Sequence, residues 1–139
     1  MFDFSEIENL PKTEQADELR KQRFGNCCQV VTAVLTRDDD LYRAASGFGG
    51  GMGSGKGPCG ALVGAVIAAG KFTNGQKTTA FSRRISERFL ELSGSLICSE
   101  LKGRDTGIVL CSCEDCIRNA IKAYEEVTAP KEQNSAGKG

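Results

Sequence analysis

Ser46-Gly-Phe-Gly-Gly-Gly-Met-Gly-Ser-Gly-Lys-Gly-Pro-Cys-Gly-Ala-Leu-Val-Gly-Ala65 is the stretch from which the rest of the chain can be read. Eight glycines fall between Gly47 and Gly60, and the run delivers Cys59 to the start of an apolar, helix-forming segment. Glycine costs conformational entropy unless the backbone needs a left-handed turn or a close approach. So dense a run therefore implies a backbone bent around something: a phosphate, a metal centre or a neighbouring helix.

The phosphate reading fails on two counts. Gly50 to Lys56 fits G-x-x-x-x-G-K, but Gly57 stands where a Mg²⁺-binding Ser or Thr belongs. Gly55 to Gly60 fits G-x-G-x-x-G, which is weak among so many glycines. Both motifs need a preceding strand, whereas Leu41-Tyr-Arg-Ala-Ala-Ser46 reads as helix. A helix N-terminus still favours an anion, and the anion that this sequence brings there is the Cys59 thiolate. Its pKa is expected to fall below the ordinary thiol value. Gly49, Gly50, Gly51 and Gly53 form the candidate cofactor cradle beside it.

Outward from this stretch the chain reads as helices. Pro58 suits the first turn of a helix running to about Ala69, with Cys59, Leu62, Val63 and Val66 on one face. Gly60 and Gly64, four apart, allow a second helix to come close. Upstream, Thr13 to Arg23 is helix-favouring, with Leu19 and Phe24 as packing residues. Asn26 is a candidate N-cap for Cys27 to Leu35, whose Cys27, Val30, Val31 and Val34 share a face, leaving Cys28 off it. Asp38-Asp-Asp40 is a solvated turn that caps a short helix, Leu41 to Ala45.

Downstream, Asn74-Gly75 marks a turn, and Thr79 to Leu92 carries a core stripe of Phe81, Ile85, Phe89 and Leu92. Ser95 is placed to cap a short helix from Cys98 to Leu101. Ile108-Val-Leu110 is apolar, but a lone strand has nothing to pair with. A last helix runs from Ser112 to Val127, turning Cys113, Cys116, Ile117, Ala120, Ile121 and Tyr124 inward. The expectation is an all-α fold: a compact bundle of about five to six helices, with the Gly-rich loop before a central helix. Residues 1–128 form one Cys-rich domain in this reading, and the polar stretch 129–139 a disordered tail.

Composition narrows the function. The chain has 139 residues, enough for one core, and 18 basic residues balance 18 acidic ones. No electrostatic footprint for nucleic acid or an acidic membrane shows. The N-terminus has neither the basic region nor the apolar run of a signal peptide, and Ala61 to Gly70 is too short to span a bilayer. A soluble cytoplasmic protein is expected.

There are seven cysteines and no histidine. In a reducing compartment that richness points to metal or redox chemistry more than to structural disulfides. Missing histidine excludes Cys-His and Ser-His nucleophilic sites, and Ile117 after Cys113-Glu-Asp-Cys116 excludes a haem attachment motif. Cys27, Cys59, Cys98 and the Cys111-Ser-Cys-Glu-Asp-Cys116 cluster each lie at or near a helix start. That cluster suits two or three thiolates on one centre, or a local disulfide. Four-cysteine zinc sites usually arrive as two Cys-x-x-Cys pairs, and only one pair is here. Scattered cysteines beside glycine-rich backbone suit an iron–sulfur cluster better, because backbone N–H groups can bond its sulfurs.

The order Asn26-Cys27, Ser46-Gly-Phe-Gly-Gly-Gly-Met52, Cys59-Gly-Ala-Leu-Val-Gly-Ala65, Gly94-Ser-Leu-Ile-Cys-Ser-Glu-Leu101 and Cys116 resembles a redox-active bacterial and archaeal family named for its own pattern: C, then GCAxxG, then C, then C. The resemblance covers about Gly25 to Val127 and implies a small helical redox domain. A similar domain accompanies the split-Soret cytochromes, where it goes with an iron–sulfur centre and a dimer; their haem-binding part is missing here. The family cysteines fall on Cys27, Cys59, Cys98 and Cys116. Pro58 replaces the family glycine, Gly60 is inserted, and Cys28, Cys111 and Cys113 are additional, so the fourth ligand is open among Cys111, Cys113 and Cys116.

The expected function is electron transfer through an iron–sulfur cluster of undetermined type, held by Cys27, Cys59, Cys98 and Cys116 with Cys111 or Cys113 as alternates. The expected partner is a redox protein, and the resemblance adds a homodimer; neither nucleic acid nor membrane is expected. One alternative is a metal-free thiol–disulfide protein in which Cys59 attacks and Cys98 or Cys116 resolves. The other is a zinc-bound interaction module. No particular reaction or enzyme class follows from the residues.

Overall fold

Local signals set each helix. The computed structural model describes residues 2–129, so residues 130–139 of the expected tail lie outside the described residues. The described residues form seven helices: α1 (Lys12–Lys21), α2 (Cys27–Thr36), α3 (Asp39–Ala44), α4 (Gly60–Phe72), α5 (Thr78–Ser93), α6 (Cys98–Lys102) and α7 (Cys113–Thr128). Asn26 caps α2 through a capping box: its side chain accepts from Gln29 N–H, and the Gln29 side chain accepts from Asn26 N–H. Asp38 accepts from Leu41 N–H at the start of α3, and Ser112 accepts from Asp115 N–H at the start of α7. The all-helical expectation holds. Ile108, Val109 and Leu110 are exposed coil and pair with no strand.

α4 is the central helix and lies against α2, α5 and α7. Its buried face is Gly60, Ala61, Leu62, Gly64, Ala65, Ala68 and Ala69, while Val63 and Val66 are only partly covered. The apolar stripe expected from Leu62, Val63 and Val66 is thus displaced toward the small residues, because α2 crosses there at short range. A Cβ added at Gly64 would lie 2.9 Å from the Cys28 carbonyl oxygen and 2.9 Å from Val31 Cβ. That crossing also corrects the reading of α2. Cys28 is fully buried beneath α4, and Cys27 is only half-buried. α2 contacts α1, α4 and α7, so it is covered on more than one side and its single-face pattern is too narrow.

Two further starts differ from expectation. Pro58 precedes the helix rather than opening it: Cys59 is the N-cap, and Pro58 forms an isolated antiparallel bridge with Ile97. Ile97, not Ser95, is the N-cap of α6; the Ser95 hydroxyl instead accepts from Ile97 N–H at 3.0 Å and bonds Glu100. Ile85 and Phe89 of α5 are fully buried, as the stripe requires, each burial contributing about 1.5–3 kcal/mol. At the N-terminal edge, Phe2, Phe4, Phe24 and Tyr42 stack in a chain, with the Arg37 guanidinium 3.6 Å over Phe4.

Candidate functional site

Four helices begin on a cysteine. Cys27 is the first residue of α2, Cys59 the N-cap of α4, Cys98 the first residue of α6 and Cys113 the first of α7, with Cys116 one turn on. The starts of α2, α4 and α7 carry cysteines that act on one another. Cys59 and Cys116 lie beside one another, and so do Cys27 and Cys113. A charge on Cys59 also raises Cys27 across the gap between the two pairs.

Cys98 arrives by a different route. Cys59 N–H donates to Leu96 O at 2.8 Å, and Cys98 N–H donates to Gly57 O at 3.0 Å, flanking the Pro58–Ile97 bridge. In that register Cys59 stands opposite Leu96, so Cys59 and Cys98 are diagonal neighbours across the bridge. Both residues are buried.

The glycine run provides this placement. Gly51, at φ 64°, packs so tightly that an added Cβ would lie 2.7 Å from Cys98 Cβ and 3.2 Å from Gly57 O. Gly49 fits against the Asn26 side chain, where a Cβ would come within 2.6 Å. Gly50 and Gly53 also have positive φ but face open space. Two of the four cradle glycines therefore serve the seating of Asn26 and Cys98. The other two present bare backbone.

The electrostatics are asymmetric within each pair. The neighbouring Cys116 thiol lowers Cys59 to about 6 against the burial that opposes ionisation; the Ala61 and Leu62 amides and the Lys102 charge lower it further. Cys116 is correspondingly raised, first by the Cys59 sulfur and then by burial. Cys113, beside Cys27, is lowered to about 5, with Lys102 and Arg20 assisting; Cys27 is raised. The low value expected of Cys59 is present, but its helix start ranks behind its neighbouring thiol. Burial pushes Cys28 up to about 11.

Lys102, unforeseen in the sequence, sits between the pairs. Its Nζ donates to Cys116 Sγ at 3.4 Å and to Cys111 O at 3.3 Å. Burial alone would lower it, yet the sulfurs of Cys116, Cys113 and Cys59 raise it. Only its position at the end of α6 brings it there, and no local motif marks it. Cys111 is turned differently: its Sγ accepts from Asn119 Nδ2 at 3.6 Å, and its carbonyl oxygen accepts from Cys116 and Lys102.

These donors suit some groups better than others. Among the described residues no three Cys, Asp or Glu side chains stand together around a single ion. A closed zinc site crowds four ligands at about 2.3 Å from one metal, unlike two thiol pairs and a diagonal Cys98. Cysteines spread more widely, beside amides and a cation, suit the sulfur-ligated, hydrogen-bonded setting of an iron–sulfur cluster better. Among the described residues, no helix is long and apolar enough to cross a membrane.

Comparison with family models gives a match over residues 25–127 to the family described as "Putative redox-active protein (C_GCAxxG_C_C)". Comparison with curated proteins and with solved structures gives no match. The chain belongs to that redox-active family, as the resemblance implied.

Proposed function

Starting from membership of this redox-active family, we propose that the chain carries electrons through an iron–sulfur cluster held by Cys27, Cys59, Cys98 and Cys116. The observation behind the proposal is the convergence of cysteine-bearing helix starts. The N-terminal ends of α2, α4 and α7, each with its partial positive charge, carry cysteines that act on one another. More sulfur is gathered here than a single dithiol needs, and Lys102 and Arg20 offset its charge.

Each residue then has a part. Cys59 offers a thiolate already favoured at neutral pH and accepts from backbone amides; Cys116 meets it from α7. Cys27 enters from α2, and Cys98 is fixed on the far side of the Pro58–Ile97 bridge by Gly51. Cys113 lies outside the family pattern and stays a hydrogen-bonding neighbour of Cys27. A bound cluster would supply one-electron chemistry; the chain orients its ligands, buries them and sets the charge around them.

Metal analysis of protein purified without oxygen, by mass spectrometry under non-denaturing conditions, tests this. The expected mass adds iron and sulfide in matched amounts. Zinc, or an unloaded chain even after anaerobic reconstitution, would overturn it.

A second reading rests on the Cys59–Cys116 contact. A low-pKa thiolate beside a thiol is the arrangement of a thiol–disulfide couple, with Cys59 attacking and Cys116 resolving. It requires a metal-free chain that cycles between seven free thiols and five.

A further inference from the structure

Lys102 has no carboxylate partner: none of the ion pairs among the described residues includes it. Its half-buried ammonium is instead fixed at two points by the start of α7, on Cys116 Sγ at 3.4 Å and on Cys111 O at 3.3 Å. With no carboxylate paired to it among the described residues, Lys102 acts chiefly on the charge of the sulfurs around it. We propose that Lys102 is a positioning residue that sets the reduction potential of the sulfur centre, by holding a fixed positive charge and N–H donors against Cys116. This rests on the sulfur-centred redox function proposed above, and it holds for either form of that chemistry.

The physical reason is differential stabilisation. In the cluster form, reduction adds one electron from a donor protein and no proton, so negative charge on the sulfurs grows. In the dithiol form, two molecules of a small thiol such as glutathione give two electrons and one proton to a Cys59–Cys116 disulfide, breaking its S–S bond to leave the Cys59 thiolate and the Cys116 thiol, while they join as their own disulfide and release one proton to solvent. In both, the reduced state is the more negative, and a cation at 3.4 Å from Cys116 Sγ stabilises it more than the oxidised state. N–H donors to ligand sulfurs act in the same direction.

The test compares Lys102→Met with Lys102→Arg and the wild type. Lys102→Met keeps length and apolar bulk but loses the charge. Its equilibrium constant for reduction is expected to fall about tenfold, which is ~59 mV for a one-electron couple and ~30 mV for a two-electron couple. Lys102→Arg should restore most of the loss. The potential is read optically with mediators if the protein loads iron, and by thiol counting in glutathione buffers if it does not. Iron content and helicity are measured alongside. A structural role through Cys111 O would lower helicity or loading without moving the potential of the loaded fraction. If Lys102→Met fails to fold, Lys102→Gln, which keeps an N–H donor without charge, is read in its place with the same expected fall. An unshifted potential in the neutral variant overturns the role of Lys102 and leaves the redox function standing. A wild type with neither couple overturns both.

Discussion

Cys116 lies beside Cys59 across the contact between α4 and α7, and its thiol lowers the Cys59 pKa against the burial that would keep Cys59 protonated. Removing the Cys116 thiol in the reduced, metal-free chain raises the Cys59 pKa. In Cys116→Ala the pH midpoint for Cys59 alkylation is therefore expected to move upward from about 6 toward the ordinary thiol value near 9. Alkylation resolved by peptide mass spectrometry at several pH values measures it.

Cys113 differs from the other low-pKa thiol in being half-buried rather than enclosed. It is expected to be the first cysteine labelled by iodoacetamide at pH 6, while Cys28, buried and pushed up to about 11, stays unlabelled. Equal labelling of the two would contradict the low value of Cys113 against the high value of Cys28.

Stability of the reduced, metal-free chain should depend on pH through these same groups. Cys59 and Cys113 have folded pKa values of about 6 and about 5, below the ordinary 9. Between those limits the unfolded state binds more protons, so stability rises with pH. Their contribution is complete above about 9 and is lost as pH falls through 6 to 5. The chain has no histidine, so no other side chain ordinarily titrates between pH 6 and 8. The melting temperature is expected to climb across that window, and much less so in Cys59→Ser/Cys113→Ser.

The fold was legible in the sequence where one residue type has one physical use. Asn26 and Asp38 mark helix starts because each has a short side chain that accepts from the amide three residues on. Gly60 and Gly64 signal a close crossing because nothing larger fits beside Cys28 and Val31. The burial of Cys28 was not legible, since it depends on how many helices surround α2. Nor was Lys102, whose role follows from the end of α6 meeting the start of α7. The family cysteines were legible through their pattern, but the pairing of Cys27 with Cys113 exists only in three dimensions.

Gly64→Ala should test the crossing that holds α2 to α4. Its Cβ would press on backbone and on a β-branched side chain, neither of which can turn away. A loss of about 1–3 kcal/mol is expected, as for other overpacked cores, read by urea denaturation. A neutral result would mean that the two helices are less closely packed than described.

Gly51→Ala tests whether the glycine run positions Cys98. The added methyl meets Cys98 Cβ at 2.7 Å in a left-handed backbone conformation. Iron retained after reconstitution is expected to drop although no proposed ligand is changed, while Gly47→Ala, with open space around it, should load as the wild type does.

The most direct measurement of the central claim is iron and acid-labile sulfide per chain after anaerobic reconstitution of the wild type, Cys59→Ser and Cys28→Ser. The wild type and Cys28→Ser are expected to bind both elements in equal, stoichiometric amounts and turn brown, and Cys59→Ser to lose most of both. A colourless wild type with seven free thiols and no iron, or a Cys59→Ser chain that loads fully, would contradict a cluster held at the start of α4.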